Sequence, residues 1–218
     1  MSKNADRIVI GNDPGYSGGL TVIDGDKVEV FDPPVIRTQV KKKNKKGILK
    51  LANVTKYDLQ GMYNLLSNYA NKNAIFAIER VGPRPGEGSV SVFNFGEGYG
   101  YWKMAAIACG MELVIVSPQT WKKSFPILTS GGEIDNFRSS KKLLLEEQKI
   151  TRDKDQKKRI KKEIDSLGRR IKALAKDRAR ELASSLYPDL ADKFKLKKHD
   201  GRAESLLIAR HVSQNFKD

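Results

Sequence analysis

Two acids in this sequence close apolar runs. Asp13 follows "RIVIGN" and precedes Pro14-Gly15 and a Gly18-Gly19 pair, and Glu79 ends "NAIFAIE". Two more, Asp200 and Glu204, stand four apart in "KKHDGRAESLLIARHVSQNF", a spacing that sets both on one face of a helix near its start. Each has an ordinary reading: Asp13 as a turn residue, Glu79 as a surface acid, Asp200 as a helix N-cap. Glu204 adjoins the apolar stripe Ala203, Leu206 and Leu207, so partial burial is expected. Their joint order says more. In an α/β sheet, chemistry gathers outside the carboxyl ends of the strands. If the first strand neighbours "NAIFAIE", Asp13 and Glu79 lie side by side there. Four carboxylates drawn together repel one another, and hard divalent cations make such a cluster tolerable. Paired Mg²⁺ ions held by Asp13, Glu79, Asp200 and Glu204, with Mn²⁺ able to substitute, point to phosphoryl chemistry, in which one ion activates an attacking water and the other stabilises the leaving oxygen.

The elements that must position these acids read as follows. Residues 7–12 and 19–24 are two strands, and "VEVFDPPVI" is a third that Pro33 and Pro34 bend or end. "KKKNKKG" (41–47) is a basic loop, either a solvated tip or a DNA-contacting one. From Thr55, the positions Leu59, Met62, Tyr63, Leu66 and Tyr69 follow helical spacing. "NAIFAIE" and "MELVIVSP" are buried strands separated by a helix over about 89–109. Gly96, Gly98 and Gly100 lie inside that helix, each costing about 1 kcal/mol relative to alanine. Close approach of another backbone, protein or DNA, is the expected reason. Phe93, Tyr99 and Tyr101 on it are either core or base-stacking groups. The last helix begins near Asp200. Strands first, then alternating strand and helix, imply an α/β fold with a mixed sheet flanked by helices.

The chain has 218 residues, which suggests a single domain, and 39% hydrophobic residues, enough for a core. Its net charge of +15 indicates a polyanionic partner or a solubilising surface. Residues 138–182 carry 17 Lys and Arg against 8 Asp and Glu, and Ile160, Ile164, Leu167, Ile171 and Leu174 form one apolar seam. A long helix or helical hairpin over 139–186 is expected, with 138–182 as a basic insertion before the last helix. The seam could pack on the core or join two copies, and the basic face could meet DNA. A single cysteine, Cys109, excludes an intrachain disulfide. No apolar run approaches a bilayer span, and "MSKNADR" lacks a signal-peptide core; a cytoplasmic location and no membrane partner are expected.

"IVIGNDPGYSGGLTVID", "FAIERV", "SVFNFGEGYGYWKMAAIACGMELVIVSPQTWKKSF" and "HDGRAESLLIARH" together resemble the RuvC-type Holliday junction resolvases, the phage and chloroplast branch being the nearer. The resemblance covers residues 7–126 and 176–212. It implies an RNase H-like fold with a mixed five-stranded sheet, a homodimer, and Mg²⁺-dependent hydrolysis in which two protomers nick opposing strands of a four-way DNA junction. Asp13, Glu79 and Glu204 match the family's first, second and last acids. Lys122 in "PQTWKK" matches a lysine that contacts the scissile phosphate. The family has isoleucine where Asn12 stands. Its bacterial members place the third acid at the position of Gly201, so Asp200 fills that role here, with His199 as the alternative.

Three other readings compete: a broader nuclease of forks, flaps and D-loops, an actin-like ATPase sharing the strand–Asp–Gly–Gly opening, and a non-catalytic binder of branched DNA. The ATPase would need a second repeated domain and further phosphate loops.

Overall fold

The structure, a computed structural model, describes residues 7–43, 47–83 and 86–215. The chain divides into two compact units, residues 1–118 with 201–218, and residues 119–200.

The first unit is built on a mixed five-stranded sheet flanked by helices, the class the sequence implies. Its strands are β1 (Val9–Asp13), β2 (Gly19–Asp24), β3 (Lys27–Phe31), β6 (Ile75–Glu79) and β7 (Glu112–Val116), in spatial order β3-β2-β1-β6-β7. β1, β2 and β3 are antiparallel neighbours, whereas β6 runs parallel to both β1 and β7. The apolar runs of β1 and β6 fit this central placement, since both faces of each strand are covered. On one face Ile8, Ile10, Leu20, Val22, Phe76 and Ile78 pack with Met62, Leu66 and Trp102 from α1 (Leu59–Ser67) and α2 (Ser89–Ala108). The rings of Phe76 and Trp102 stack there, 6.1 Å apart.

The opposite face receives α6 (Asp200–Asn215), whose residues from Gly201 onward belong to this unit. The approach is close enough to require glycine. A Cβ on Gly11 would fall 2.2 Å from the Ser205 carbonyl oxygen, and one on Gly19 would fall 2.6 Å from that of Gly201. Ser205 also shares a hydrogen bond with Thr21, 2.8 Å between oxygens. At the start of the helix, Arg202 donates from Nε and Nη2 to the two carboxylate oxygens of Asp32, both at 2.6 Å.

The third strand ends at Phe31, before the prolines, and Pro34 leads instead into a second sheet that the sequence reading missed. This is a two-stranded ribbon of β4 (Val35–Lys43) and β5 (Leu49–Tyr57). Lys41, Lys42 and Lys43 are therefore strand residues, and the middle of the expected basic loop, residues 44–46, lies outside the described residues. The ribbon is closed at its base by a hydrogen bond from the Asp58 amide to the Pro34 carbonyl, 3.1 Å. Helix α1 starts later than Thr55 because Asp58 caps it, accepting from the Gly61 amide at 2.9 Å.

The second unit holds α3 (Pro118–Lys123, from Gln119 on), α4 (Glu133–Ile150), α5 (Lys154–Leu186) and three short 3₁₀ turns. The α4–α5 pair is the expected helical hairpin. The seam residues Ile160 and Ile164 are buried, and α5 packs against α4. Asp153 caps α5 by accepting from the Gln156 amide at 2.6 Å. Arg178 fixes the same helix to the loop before α4. It donates to the carbonyls of Ile127 and Ser130 at 2.8 Å and Gly131 at 3.0 Å. Among the described residues, no helix is long and apolar enough to cross a membrane.

Candidate active site

β1 and β6 are parallel neighbours with Gly11 beside Ala77 and Asn12 beside Ile78. The next positions, Asp13 and Glu79, therefore end the two strands side by side. Side chains alternate between faces along a strand, so Asp13 shares the face of Gly11, and Glu79 that of Ala77. That is the face on which α6 lies, as the surroundings of Gly11 and Gly19 show. Glu204 comes from this helix, between Gly201, which abuts Gly18, and Ser205, which abuts Gly11. It is 9% exposed, in keeping with its place beside an apolar stripe. Three acids far apart in sequence thus reach one sheet face at the carboxyl ends of β1 and β6.

Convergence is a property of these backbone positions. Among the described residues, no group of three or more His, Cys, Asp and Glu side chains stands ready to hold one metal ion. The donors that the three positions offer are all carboxylate oxygens, without sulfur or imidazole. Such a set suits a hard divalent cation such as Mg²⁺.

Asp200 and Lys122 belong to the second unit. Asp200 is the first residue of α6 rather than its cap, with helical backbone angles, and its carboxylate is paired with Lys176 of α5. His199 is buried just before it, and its Nδ1 accepts from the Leu196 amide at 3.3 Å. The Nζ of Lys122 lies 4.8 Å from the ring centre of the buried Trp121.

Asn12 points to the face opposite Asp13 and is fully buried. Its amide nitrogen donates to the Gly19 carbonyl at 3.2 Å, while its Oδ1 has no hydrogen-bond partner among the described residues. Packing, not the acidic face, absorbs this departure from isoleucine.

A tyrosine cluster that no sequence spacing announces stands next to Asp13. Tyr57, at the root of the ribbon, packs on Tyr16 at 4.3 Å between ring centres and edge-on to Tyr101 at 6.1 Å. The Tyr101 hydroxyl donates to Glu97 at 3.0 Å. Burial first, then the charges of Tyr16, Asp13 and Glu97, push the Tyr57 phenol up to about 12. Beside the cluster is a cleft lined by Tyr16, Tyr57, Asn94, Glu97 and Tyr101. The same ring explains one glycine of α2: a Cβ on Gly98 would fall 2.0 Å from Tyr57 Cζ. The close approach is therefore a side chain, not a backbone, and Gly96 and Gly100 face open space. Phe93 is 66% exposed, whereas Tyr99 and Tyr101 pack against the core.

No protein-family model matches the chain, and no curated protein matches it. Among solved structures, Thermus thermophilus RuvC in complex with a Holliday junction substrate is similar at 14% identity. That match covers 56% of this chain and 71% of the other, with a TM-score of 0.36. A second Thermus thermophilus RuvC structure is similar at 16% identity over 53% of this chain and 67% of the other, with a TM-score of 0.30. Both likenesses are distant, and neither places a residue of this chain.

Proposed function

We propose that this protein is a metal-dependent endonuclease that resolves four-way DNA junctions, cutting opposing strands as a homodimer. The observation that supports it best is the meeting of Asp13, Glu79 and Glu204 on one sheet face, in a chain of net charge +15. A surface so basic draws in a phosphate backbone. Three carboxylates carried to one face of a sheet repel one another, and bound divalent cations would relieve that repulsion.

Asp13, Glu79 and Glu204 would hold Mg²⁺, and the bound ions would supply an activated hydroxide and charge neutralisation at the leaving oxygen. The chain's own part is to fix the ligands. β1 and β6 set two carboxylates at fixed register, and α6 brings the third through an approach that only glycine permits at positions 11 and 19. Asp200, or His199 in its place, is proposed as a fourth ligand and Lys122 as a group that touches the scissile phosphate, on the sequence resemblance alone. Gly18 is needed at the turn itself, since a Cβ there would fall 1.9 Å from the Asp13 carbonyl oxygen.

The test compares four-way, three-way and linear duplex DNA in Mg²⁺ or Mn²⁺. Paired nicks in four-way junctions, far faster than in linear duplex, are expected. Asp13→Asn should keep junction binding and abolish cleavage. Equal rates on linear duplex would reduce the protein to a general nuclease. Junction binding without cutting in either metal would leave it a non-catalytic binder, the reading that the charge alone would favour.

A further inference from the structure

The β4–β5 ribbon is a sheet of its own, separate from the five strands that carry Asp13 and Glu79. Its two strands carry Arg37, Lys41, Lys42, Lys43, Lys50 and Lys56 and not one acid. The register sorts these side chains by face. Arg37, Lys41 and Lys43 share one face with Leu49 and Leu51, which are 58% and 65% exposed. On the other face Lys42 stands directly opposite Lys50. Like charges directly opposite destabilise an antiparallel pair, and an isolated two-stranded hairpin is already marginal in water. A ribbon that keeps lysine opposite lysine, with apolar side chains exposed beside them, is shaped for something other than its own stability.

Its root, in contrast, is rigid. Tyr57 is 9% exposed and wedged between Tyr16, Tyr101 and Gly98, and the Asp58 amide closes the base. The root also lies at the turn that follows β1, because Tyr57 packs on Tyr16, which stands just beyond Asp13 in the chain. A firmly anchored arm with a cationic outer half therefore springs from the edge of the acidic face.

We propose that this ribbon is a DNA-binding arm that lies in the groove of a duplex segment flanking the cleavage point. A two-stranded ribbon fits the major groove, about 12 Å wide. Lysines on both faces then meet the phosphates of the two groove walls, and the Lys42–Lys50 repulsion is relieved by the phosphates between them. Leu49 and Leu51 pack against the groove floor. The inference rests on the nuclease reading for its flanking position, but duplex binding by the arm stands without it.

The experiment measures binding in EDTA, so that cutting plays no part, on duplex and single-stranded DNA across a salt series. K41Q/K42Q/K50Q should bind duplex at least roughly tenfold more weakly, with the slope of log K against log salt shallower by about 0.9 for each phosphate that is no longer neutralised. Single-strand binding should fall much less. Lys42→Gln alone should raise the melting temperature, because it removes the cross-strand repulsion, while weakening duplex binding. Those opposite signs separate a binding role from a structural one. Unchanged duplex affinity and slope would overturn the proposal, and so would equal losses on single and double strands. Failure of the unmodified protein to cleave, with the arm's effect on duplex binding intact, would count against the nuclease reading and leave the arm standing.

Discussion

Asn12 and Tyr57 show what single residues do around the acidic face. Asn12 is buried with its Oδ1 unpaired among the described residues, a penalty of about 1–3 kcal/mol. Asn12→Ile is expected to raise stability by about 1 kcal/mol in denaturant melts and to leave cleavage rates unchanged, because the side chain lies on the far side of β1 from Asp13. Tyr57 titrates near pH 12 in the folded protein, against about 10 for an unfolded tyrosine. Its contribution is therefore complete below pH 10 and is lost as pH rises toward 12, since only the unfolded chain ionises in that window. Melting temperature should fall across that range, and Tyr57→Phe should flatten the fall.

At the scale of elements, glycines report where α2 and α6 meet their neighbours. Gly96→Ala and Gly100→Ala meet nothing and should each stabilise by about 0.5–1 kcal/mol. Gly98→Ala would drive a methyl into the Tyr57 ring and should destabilise by about 1–3 kcal/mol. The contrast is measured by chemical denaturation of the three single variants. Gly11→Ala is the severer change, since the obstacle is the backbone of α6 at Ser205 and Ala209. It should destabilise by about 3 kcal/mol and also depress cleavage, because α6 carries Glu204. Within the second unit, Arg178→Met removes three hydrogen bonds to the loop before α4. A loss of about 2 kcal/mol is expected, visible as earlier proteolysis of that loop.

For the molecule as a whole, the charge of +15 predicts junction binding that weakens steeply with salt, by about 0.9 log units per log unit of salt for each phosphate engaged. Titrations between about 50 and 200 mM salt check it. A shallow slope would mean that the basic surface is a solubilising one and the acids act on another substrate. Chelation belongs to this scale too: if the acids hold divalent ions as proposed, EDTA should stop cleavage and leave binding, which the lysines carry, intact.

The periodicities of this chain determine most of its elements. The apolar runs ending in Asp13 and Glu79, the hairpin seam at Ile160 and Ile164 and the buried stripe of α6 are local patterns found where their spacing implies, and the first helix is there too, shortened at its start by the Asp58 cap. The ribbon escaped because lysines stand on both of its faces and Leu49 and Leu51 are exposed, so no buried face marks it as a strand pair. Register and packing are matters of tertiary structure. Only the parallel pairing of β1 with β6 sets Asp13 beside Glu79, and only the close backbone approach at Gly11 and Gly19 brings Glu204 to the same face. The pairing of Asp200 with Lys176 and the reach of Tyr57 to Asp13 follow no sequence spacing at all. They join residues more than twenty positions apart, and such pairings are chosen by how the whole chain buries its apolar faces.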